Sequence, residues 1–385
     1  MTNEELIEAT KELIAIQSSG DNRKALDEAL EYVANFVRKR NPRVTIEYFE
    51  RNGIRSFLAY RSKKRPEGFH IILNGHVDVV PGKTAQYKAK VKDGKLYGRG
   101  AHDMKAACII MAEVFCEFVN DVPYELGLQI VTDEETGGFD GTCYQVQQGV
   151  RSDFTVCGEC GRKTDVYEVA NEAKGLMFVD VEFHGKTAHG AYPWRGENAA
   201  IKATHFAKAV YDLHPTPQDE HHDRTITVTG IISDTGVHNK VPDHAIVKLD
   251  IRFLANDSAF ESQGALEAFI RSIDPNVKAI AVRTAAPPAY ADPNGEFMQD
   301  LKRAAEVVEG KEFKFVRRHA SSDGRHYMET GGQACEFGVA GEDQHGDEEH
   351  ITLKAFENYH ATMRQFLRNT RVPGQLPLKK GVSAK

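Results

Sequence analysis

Several things are scarce in this sequence, and each scarcity excludes a class of protein. There is a single tryptophan, and mean hydropathy is negative at −0.46. No stretch approaches the roughly 20 continuous apolar residues that a membrane-spanning helix needs, so a membrane partner is not expected. The six cysteines (108, 116, 143, 157, 160 and 335) are too few in 385 residues for a dense disulfide framework. Reduced thiols in a cytoplasmic protein are the expectation. Basic residues are in deficit, with 49 Lys and Arg against 56 Asp and Glu, and they form no patch suited to a phosphate backbone. Nucleic acid is therefore not an expected partner. The first residues, MTNEELIEATKELIAIQ, lack a basic start followed by an apolar core. They read as an amphipathic helix rather than a signal peptide.

What is present is an ordinary globular composition, 41% hydrophobic and 27% charged, in a chain longer than one hydrophobic core usually supports. Two domains follow. Up to about Asn171, short apolar runs (70–74, 126–131, 154–157) alternate with helical patterns, as in a layered α/β sheet. Asp93-Gly94 marks a hairpin turn. From about 173 to 283 the order becomes strand (177–183), helix (198–213), strands (225–232, 245–253), helix (258–273) and strand (277–282). That βαββαβ order describes a ferredoxin-like module. The α/β pattern then resumes and ends in a helix over 353–369. The expected division is a discontinuous metal-binding domain, 1–173 with 285–375, an inserted domain, 174–284, and a frayed tail, 376–385.

Four stretches place acidic residues or histidine where strands end. In ILNGHVDVVPG, His76 and Asp78 lie two apart and share a face at a strand's C-terminal end, the edge where open α/β sheets bind ligands. A metal-bound imidazole commonly hands its other N–H to a carboxylate, and Asp78 is placed for that role. In YGRGAHDMKAA, Asp103 stands where a glycine-rich loop becomes a helix, so it suits a helix cap as well as a ligand. In TDEETGG, adjacent Glu134 and Glu135 repel unless a cation or proton intervenes. On a strand end they would point different ways, one to a metal and one to a proton; otherwise they form an acidic surface turn. VCGECGR presents Glu159 between Cys157 and Cys160, a CxxC that also suits a redox pair or half a zinc knuckle. Far downstream, GEDQHGDEEH offers His345 and His350. Each signal has an ordinary structural explanation alone; their convergence on one sheet edge points to a metal site.

Together GHVDVVPG, YGRGAHDMK, TDEETGG, CGECG and the His345 segment resemble, in order and spacing, the dizinc aminoacylase and carboxypeptidase family of metallopeptidases. Acetylornithine deacetylases, succinyl-diaminopimelate desuccinylases and several dipeptidases belong to it. The resemblance implies His76 and Glu159 on one zinc, Glu135 and His345 on the other, and Asp103 between them, with Co2+ or Mn2+ able to replace Zn2+. It further implies Asp78 orienting His76, and Glu134 as general base for amide hydrolysis of an N-acyl amino acid by a dizinc-bound hydroxide. Deacetylase and desuccinylase types are expected ahead of a dipeptidase or carboxypeptidase.

In the inserted domain GKTAHGAYPWRGENAA resembles the family's lid motif. His189 would support the oxyanion in a partner subunit, which implies a homodimer with a lid and dimerisation role for this domain. Asn239 and Arg252 stand where relatives bind a substrate carboxylate, although Arg252 could form a surface salt bridge. Ser322 and Arg325 in ASSDGRHY are similar to the desuccinylase SDGR, although Asp323 could pair with Arg325. Ala173-Lys174-Gly175 and Gly338-Val-Ala-Gly341 depart from the desuccinylase pattern and lean toward deacetylases. His102, beside Asp103, is unusual for the family. Two rival readings are a non-catalytic ligand-binding homologue, and a thiol or one-metal enzyme built on Cys157 and Cys160.

Overall fold

The structure, a computed structural model, describes residues 1–370 apart from 21, 160, 161, 220, 222 and 321. Cys160 and the 376–385 tail thus lie outside the described residues. The chain divides into two compact units, one of residues 1–172, 289–316 and 322 onward, the other of residues 173–288 and 317–321.

The first unit begins with α1 (Asn3–Ala15), which carries a capping box between Thr2 and Glu5. α2 (Arg23–Arg40) is capped by Asn22. α2 buries Ala25, Leu26, Ala29, Leu30, Val33, Ala34 and Val37, a stripe at helical spacing. The hairpin β1 (Thr45–Arg51) and β2 (Ile54–Tyr60) follows. Next come β3 (Phe69–His76) and a second hairpin, β4 (Lys90–Lys92) with β5 (Lys95–Tyr97). Asp93 and Gly94 both take positive φ, 51° and 72°, as the type I′ turn of a two-residue hairpin demands. α3 (Lys105–Phe118) is buried nearly end to end, so its apolar residues are not confined to a stripe. β6 (Leu126–Val131), α4 (Thr142–Gln147), β7 (Ser152–Cys157) and β8 (Glu168–Ala173) complete this stretch.

The second unit holds β9 (Gly175–His184), the short β10 (Ala188–His189), α5 (Ala199–Leu213), β11 (Thr225–Ile232), the short β12 (Lys240–Val241), β13 (His244–Phe253), α6 (Gln263–Ile273) and β14 (Ala279–Ala286). Its sheet runs β11-β13-β9-β14, antiparallel throughout. Leaving aside the two-residue strands, this is the βαββαβ order read from the sequence. Odd-numbered residues of β9 and β13, among them Val179, Val181, Phe183, Val247 and Leu249, pack with Ala203, Phe206, Leu266 and Ile270 of the helices. Even-numbered ones face away, the period-two signature of a half-covered sheet. One reading needs correction: the helix expected over 258–273 is a 3-10 turn, Ser258–Phe260, followed by α6, because Ser262 caps a fresh start by accepting from Ala265 N–H.

The chain then adds β15 (Ala289–Tyr290), α7 (Glu296–Glu309), β16 (Lys314–Arg318), β17 (Gln333–Glu336), β18 (Gly341–Glu342), β19 (His350–Thr352) and α8 (Leu353–Asn369). The main sheet runs β1-β2-β6-β3-β7-β17-β8-β15, with β16 beside β8. β6, β3, β7 and β17 are mutually parallel neighbours, so their C-terminal ends share one edge. Leu73, Leu128, Phe154 and Val156 from these strands pack with Ile109, Phe115, Phe356 and Met363 of α3 and α8. Each such side chain contributes about 1.5–3 kcal/mol on burial. No described helix is long and apolar enough to cross a membrane.

Candidate metal centre

The shared strand edge gathers the acidic residues. His76 is the last residue of β3 and is 1% exposed. Its Nε2 lies 3.1 Å from Asp103 Oδ1 and 3.4 Å from Glu159 Oε1. His345 Nε2 lies 3.0 Å from Asp103 Oδ2 and 3.2 Å from Glu135 Oε1. The two triads therefore share Asp103, one carboxylate oxygen facing each. Bonds of 2.0–2.2 Å at tetrahedral angles separate ligand atoms by about 3.4 Å, so these spacings suit a cation in each triad. A nitrogen and oxygen donor set without thiolate fits Zn2+, Co2+ or Mn2+.

Electrostatics agree with that fit. Asp78, Asp103, Glu134, Glu135 and Glu159 concentrate carboxylates here. Hydrogen bonding to Asp103 and Glu135 lifts the His345 imidazole to about 10. Burial depresses His76, but Asp103, Asp78 and Glu159 outweigh it and hold that ring well above its ordinary value. Burial raises Asp103 too, yet His345 and His76 pull it far below the usual carboxylate range. Glu159 is raised by burial and then by Asp103, and Glu134 is raised well above normal by burial and then by Glu159. The pocket calls for positive charge, which divalent cations supply.

Local structure explains why Asp103 faces the triads. It does not cap α3: Met104 takes that position, and both Asp103 oxygens are turned to the histidines, with Gln344 Nε2 donating to Oδ2 at 2.8 Å. Its loop is held by Glu349, a buried carboxylate accepting from the N–H groups of Gly100, His102 and Asp103 at 3.0–3.1 Å and from Arg99 Nη1 at 2.5 Å. Arg99 also donates to the carbonyls of His345 and Gly346, tying the two ligand-bearing segments together. Sequence reading missed Arg99, Glu349 and Gln344, although all three sit inside motifs it singled out.

Glu134 and Glu135 are not on a strand end; they form a 3-10 turn, Glu134–Thr136. Asp78 Oδ2 accepts from Glu135 N–H at 2.9 Å, fixing that turn. The role expected of Asp78 toward His76 is thus divided. Its backbone carbonyl lies 2.9 Å from His76 Nδ1, while its Oδ1 stands 3.5 Å away. The turn closes through Gly137 and Gly138, and at Gly138 (φ +63°) a Cβ would come 1.8 Å from Asp323 Oδ1.

Other expected residues divide by unit. Ser322 and Arg325 are buried in the first unit, with Arg325 Nη2 donating to the Gly137 carbonyl at 2.6 Å. Asp323 accepts from Thr142 Oγ1 at 2.5 Å. His189 and Asn239 come together in the second unit, where β10 pairs with β12 and Gly190 N–H donates to the Asn239 carbonyl at 2.6 Å. Arg252 stands apart on β13 with Nε and Nη2 donating to Asp250, so the salt-bridge alternative is what forms and a bidentate face for substrate is taken. Burial pushes the Cys157 thiol up, opposite to the thiolate a redox site requires. Burial pushes His102 down to about 4, leaving a neutral ring packed against Gly341. His350 lies against Tyr97, the rings tilted by 34° with centroids 4.8 Å apart.

The sequence model described as peptidase family M20/M25/M40 matches residues 72–369, which span all the ligand-bearing segments. The chain belongs to this family. The M20/M25/M40 chain is 25% identical over 384 residues to a succinyl-diaminopimelate desuccinylase from Nitratiruptor sp., covering 95% of this chain and 100% of the relative. It is 29% identical over 321 residues to another of that name from Burkholderia multivorans, covering 78% and 83%. Among solved structures, it is similar to an aminopeptidase from Bacillus cereus, with a TM-score of 0.73 at 18% identity over 95% of this chain and 98% of the other. It is also similar to an M20 family metallo-carboxypeptidase from Sulfolobus solfataricus, with a TM-score of 0.71 at 16% identity over 94% and 98%. These likenesses establish the mixed α/β fold, and the family establishes a metal-dependent hydrolase.

Proposed function

We propose that this family member hydrolyses the amide bond of an N-acyl amino acid at a two-cation centre. The observation that carries the reading is Asp103, whose two oxygens serve two triads that each add one histidine and one glutamate. When bound, two divalent cations supply a water of lowered pKa and polarise the scissile carbonyl. Glu134, whose carboxyl is raised by burial and by Glu159, takes the proton of the attacking water and returns it to the leaving amine. Asp78 holds the turn that carries Glu135, and Glu349 holds Asp103.

In His189, Nδ1 accepts from Ala191 N–H at 3.1 Å, which leaves Nε2 as the nitrogen to donate to an oxyanion. We assign it to the centre of a partner subunit in a cytoplasmic homodimer, with residues 174–284 as the lid and dimerisation domain and residues 1–173 with 285–375 as the catalytic one. Asn239, Ser322 and Arg325 are assigned to the substrate's carboxylates, and Arg252 to a single-point contact beside Asp250. The desuccinylase names of the relatives and the Ala173-Lys174-Gly175 entry to the second unit support acyl substrates. The peptidase titles of the structural neighbours favour a second reading, a dipeptidase.

Zinc-loaded protein assayed against acetylornithine, acetyllysine, succinyl-diaminopimelate and simple dipeptides separates the two; turnover of dipeptides alone establishes the second. Glu134→Ala abolishes turnover with the parent's metal content retained, and retained turnover removes Glu134 from the mechanism. Mixing Glu134→Ala with His189→Ala chains restores activity if His189 acts in trans, and no recovery overturns that assignment.

A further inference from the structure

A third group of metal-ligating side chains lies in the second unit, among residues that the hydrolytic reading does not use. Glu182, His184 and His244 place a carboxylate oxygen and two imidazole nitrogens within 4.8 Å of one another. The backbone imposes this arrangement. His184 ends β9, His244 begins β13, and the two are direct partners across the antiparallel ladder. Glu182, two residues before His184, shares its face of the sheet.

This is the face that α5 and α6 leave uncovered, with His184 and His244 side chains 49% and 51% exposed and Glu182 28% exposed. The two rings stand edge to face with centroids 5.4 Å apart. Glu182 Oε2 lies 3.8 Å from Nε2 of each ring. That is too far for a hydrogen bond, but it is within a few tenths of an ångström of the roughly 3.4 Å that separates ligands on one tetrahedral ion. The ring nitrogens lie within 4.8 Å of each other, and both rings are half-exposed, with room to turn toward one ion. The nearby cation, Lys202, is engaged elsewhere, donating to the His184 carbonyl at 3.0 Å and to Glu197 at 2.8 Å.

We propose that Glu182, His184 and His244 form a separate mononuclear site for a borderline divalent ion, Zn2+, Ni2+ or Cu2+, pinning β9 to β13. Two imidazoles and one carboxylate select these ions over Mg2+ or Ca2+, which favour all-oxygen shells. The remaining coordination positions face solvent and are filled by water. Cu2+ binds most tightly of the three, as the stability order of divalent ions requires.

The test uses untagged full-length protein, stripped with chelator and dialysed against buffered free Zn2+, with metal per chain read by mass spectrometry. The parent is expected to take up one more equivalent than the His184→Asn/His244→Asn variant. Equal uptake by the two overturns the proposal. Asp103→Asn separates it from the two-cation reading, since that variant should lose metal at the strand edge and keep the equivalent that depends on His184 and His244. A Cu2+ electron paramagnetic resonance spectrum of Asp103→Asn provides a readout that needs no second folded variant. Hyperfine splitting from two nitrogens supports the site, and a spectrum without nitrogen coupling overturns it.

Discussion

Replacing Glu349 tests whether the metal-bearing loop is organised by a buried carboxylate that is not itself a ligand. Glu349 is 1% exposed and accepts four hydrogen bonds, three from backbone N–H groups of residues 100–103 and one from Arg99, itself 3% exposed. Alanine leaves a buried guanidinium without its carboxylate, a loss of about 3–5 kcal/mol. It also strands three N–H groups at roughly 1–3 kcal/mol each where water does not reach them. Cavity water and the carbonyls of His345 and Gly346 recover part of this, so the expected loss for metal-free Glu349→Ala is about 4 kcal/mol or more, equivalent to a fall of roughly 8 °C or more in Tm. Glutamine keeps the shape and one acceptor oxygen, so Glu349→Gln loses about half as much, about 2 kcal/mol. Calorimetry of the metal-free proteins reads these values. Metal retention during dialysis falls about 10- to 100-fold, as for other groups that orient a ligand through a hydrogen bond. A Glu349→Ala protein that melts with the parent and keeps its metal refutes the reasoning.

Further outcomes follow from other contacts. Glu113 is raised by burial, but hydrogen bonds from Arg40 Nε and Nη2 at 2.7 and 2.8 Å help bring it below its ordinary 4.5. Its stability contribution is therefore present above about pH 4.5 and lost as pH falls through the depressed folded value. Arg40→Ala should raise the pH midpoint of acid unfolding followed by circular dichroism, and an unchanged midpoint contradicts this. Gly138→Ala places a β-carbon against Asp323 in a left-handed turn; a loss of about 1–3 kcal/mol is expected, together with lowered turnover from the displaced Glu134–Thr136 turn. Cys157→Ala with Cys160→Ala should retain the parent's turnover in the zinc-loaded enzyme, and loss of activity with metal content intact would revive a thiol mechanism.

The parts of the fold set by periodicity and turn chemistry were legible in the sequence. The span Leu126–Val131, the span Thr225–Ile232, the Asp93-Gly94 hairpin and the last helix over Leu353–Asn369 appear where pattern placed them. His76, Glu135 and Glu159 also come together, because parallel β3, β6 and β7 deliver their C-terminal ends to one edge, while Asp103 and His345 reach it from loops. Less legible were features decided by tertiary partners. Asp103 is as good a capping residue as any, and only the histidines brought to it by β3 and by the β18–β19 loop show that it faces elsewhere. The Glu134-Glu135 pair reads as strand-like alternation, but the turn required by Gly137 and Gly138 makes it helical. Arg99 and Glu349 are 250 positions apart, and no local pattern announces a pair at that separation. By contrast, Arg252 and Asp250 lie two residues apart on β13, so strand alternation alone puts them on one face, where they pair.

The most direct test of the account is anomalous scattering from crystals of the zinc-loaded protein, with data collected above and below the zinc edge. Two peaks are predicted at the strand edge, one enclosed by His76, Glu159 and Asp103 Oδ1 and the other by Glu135, His345 and Asp103 Oδ2. A single peak there, or two that do not share Asp103, contradicts the two-cation centre.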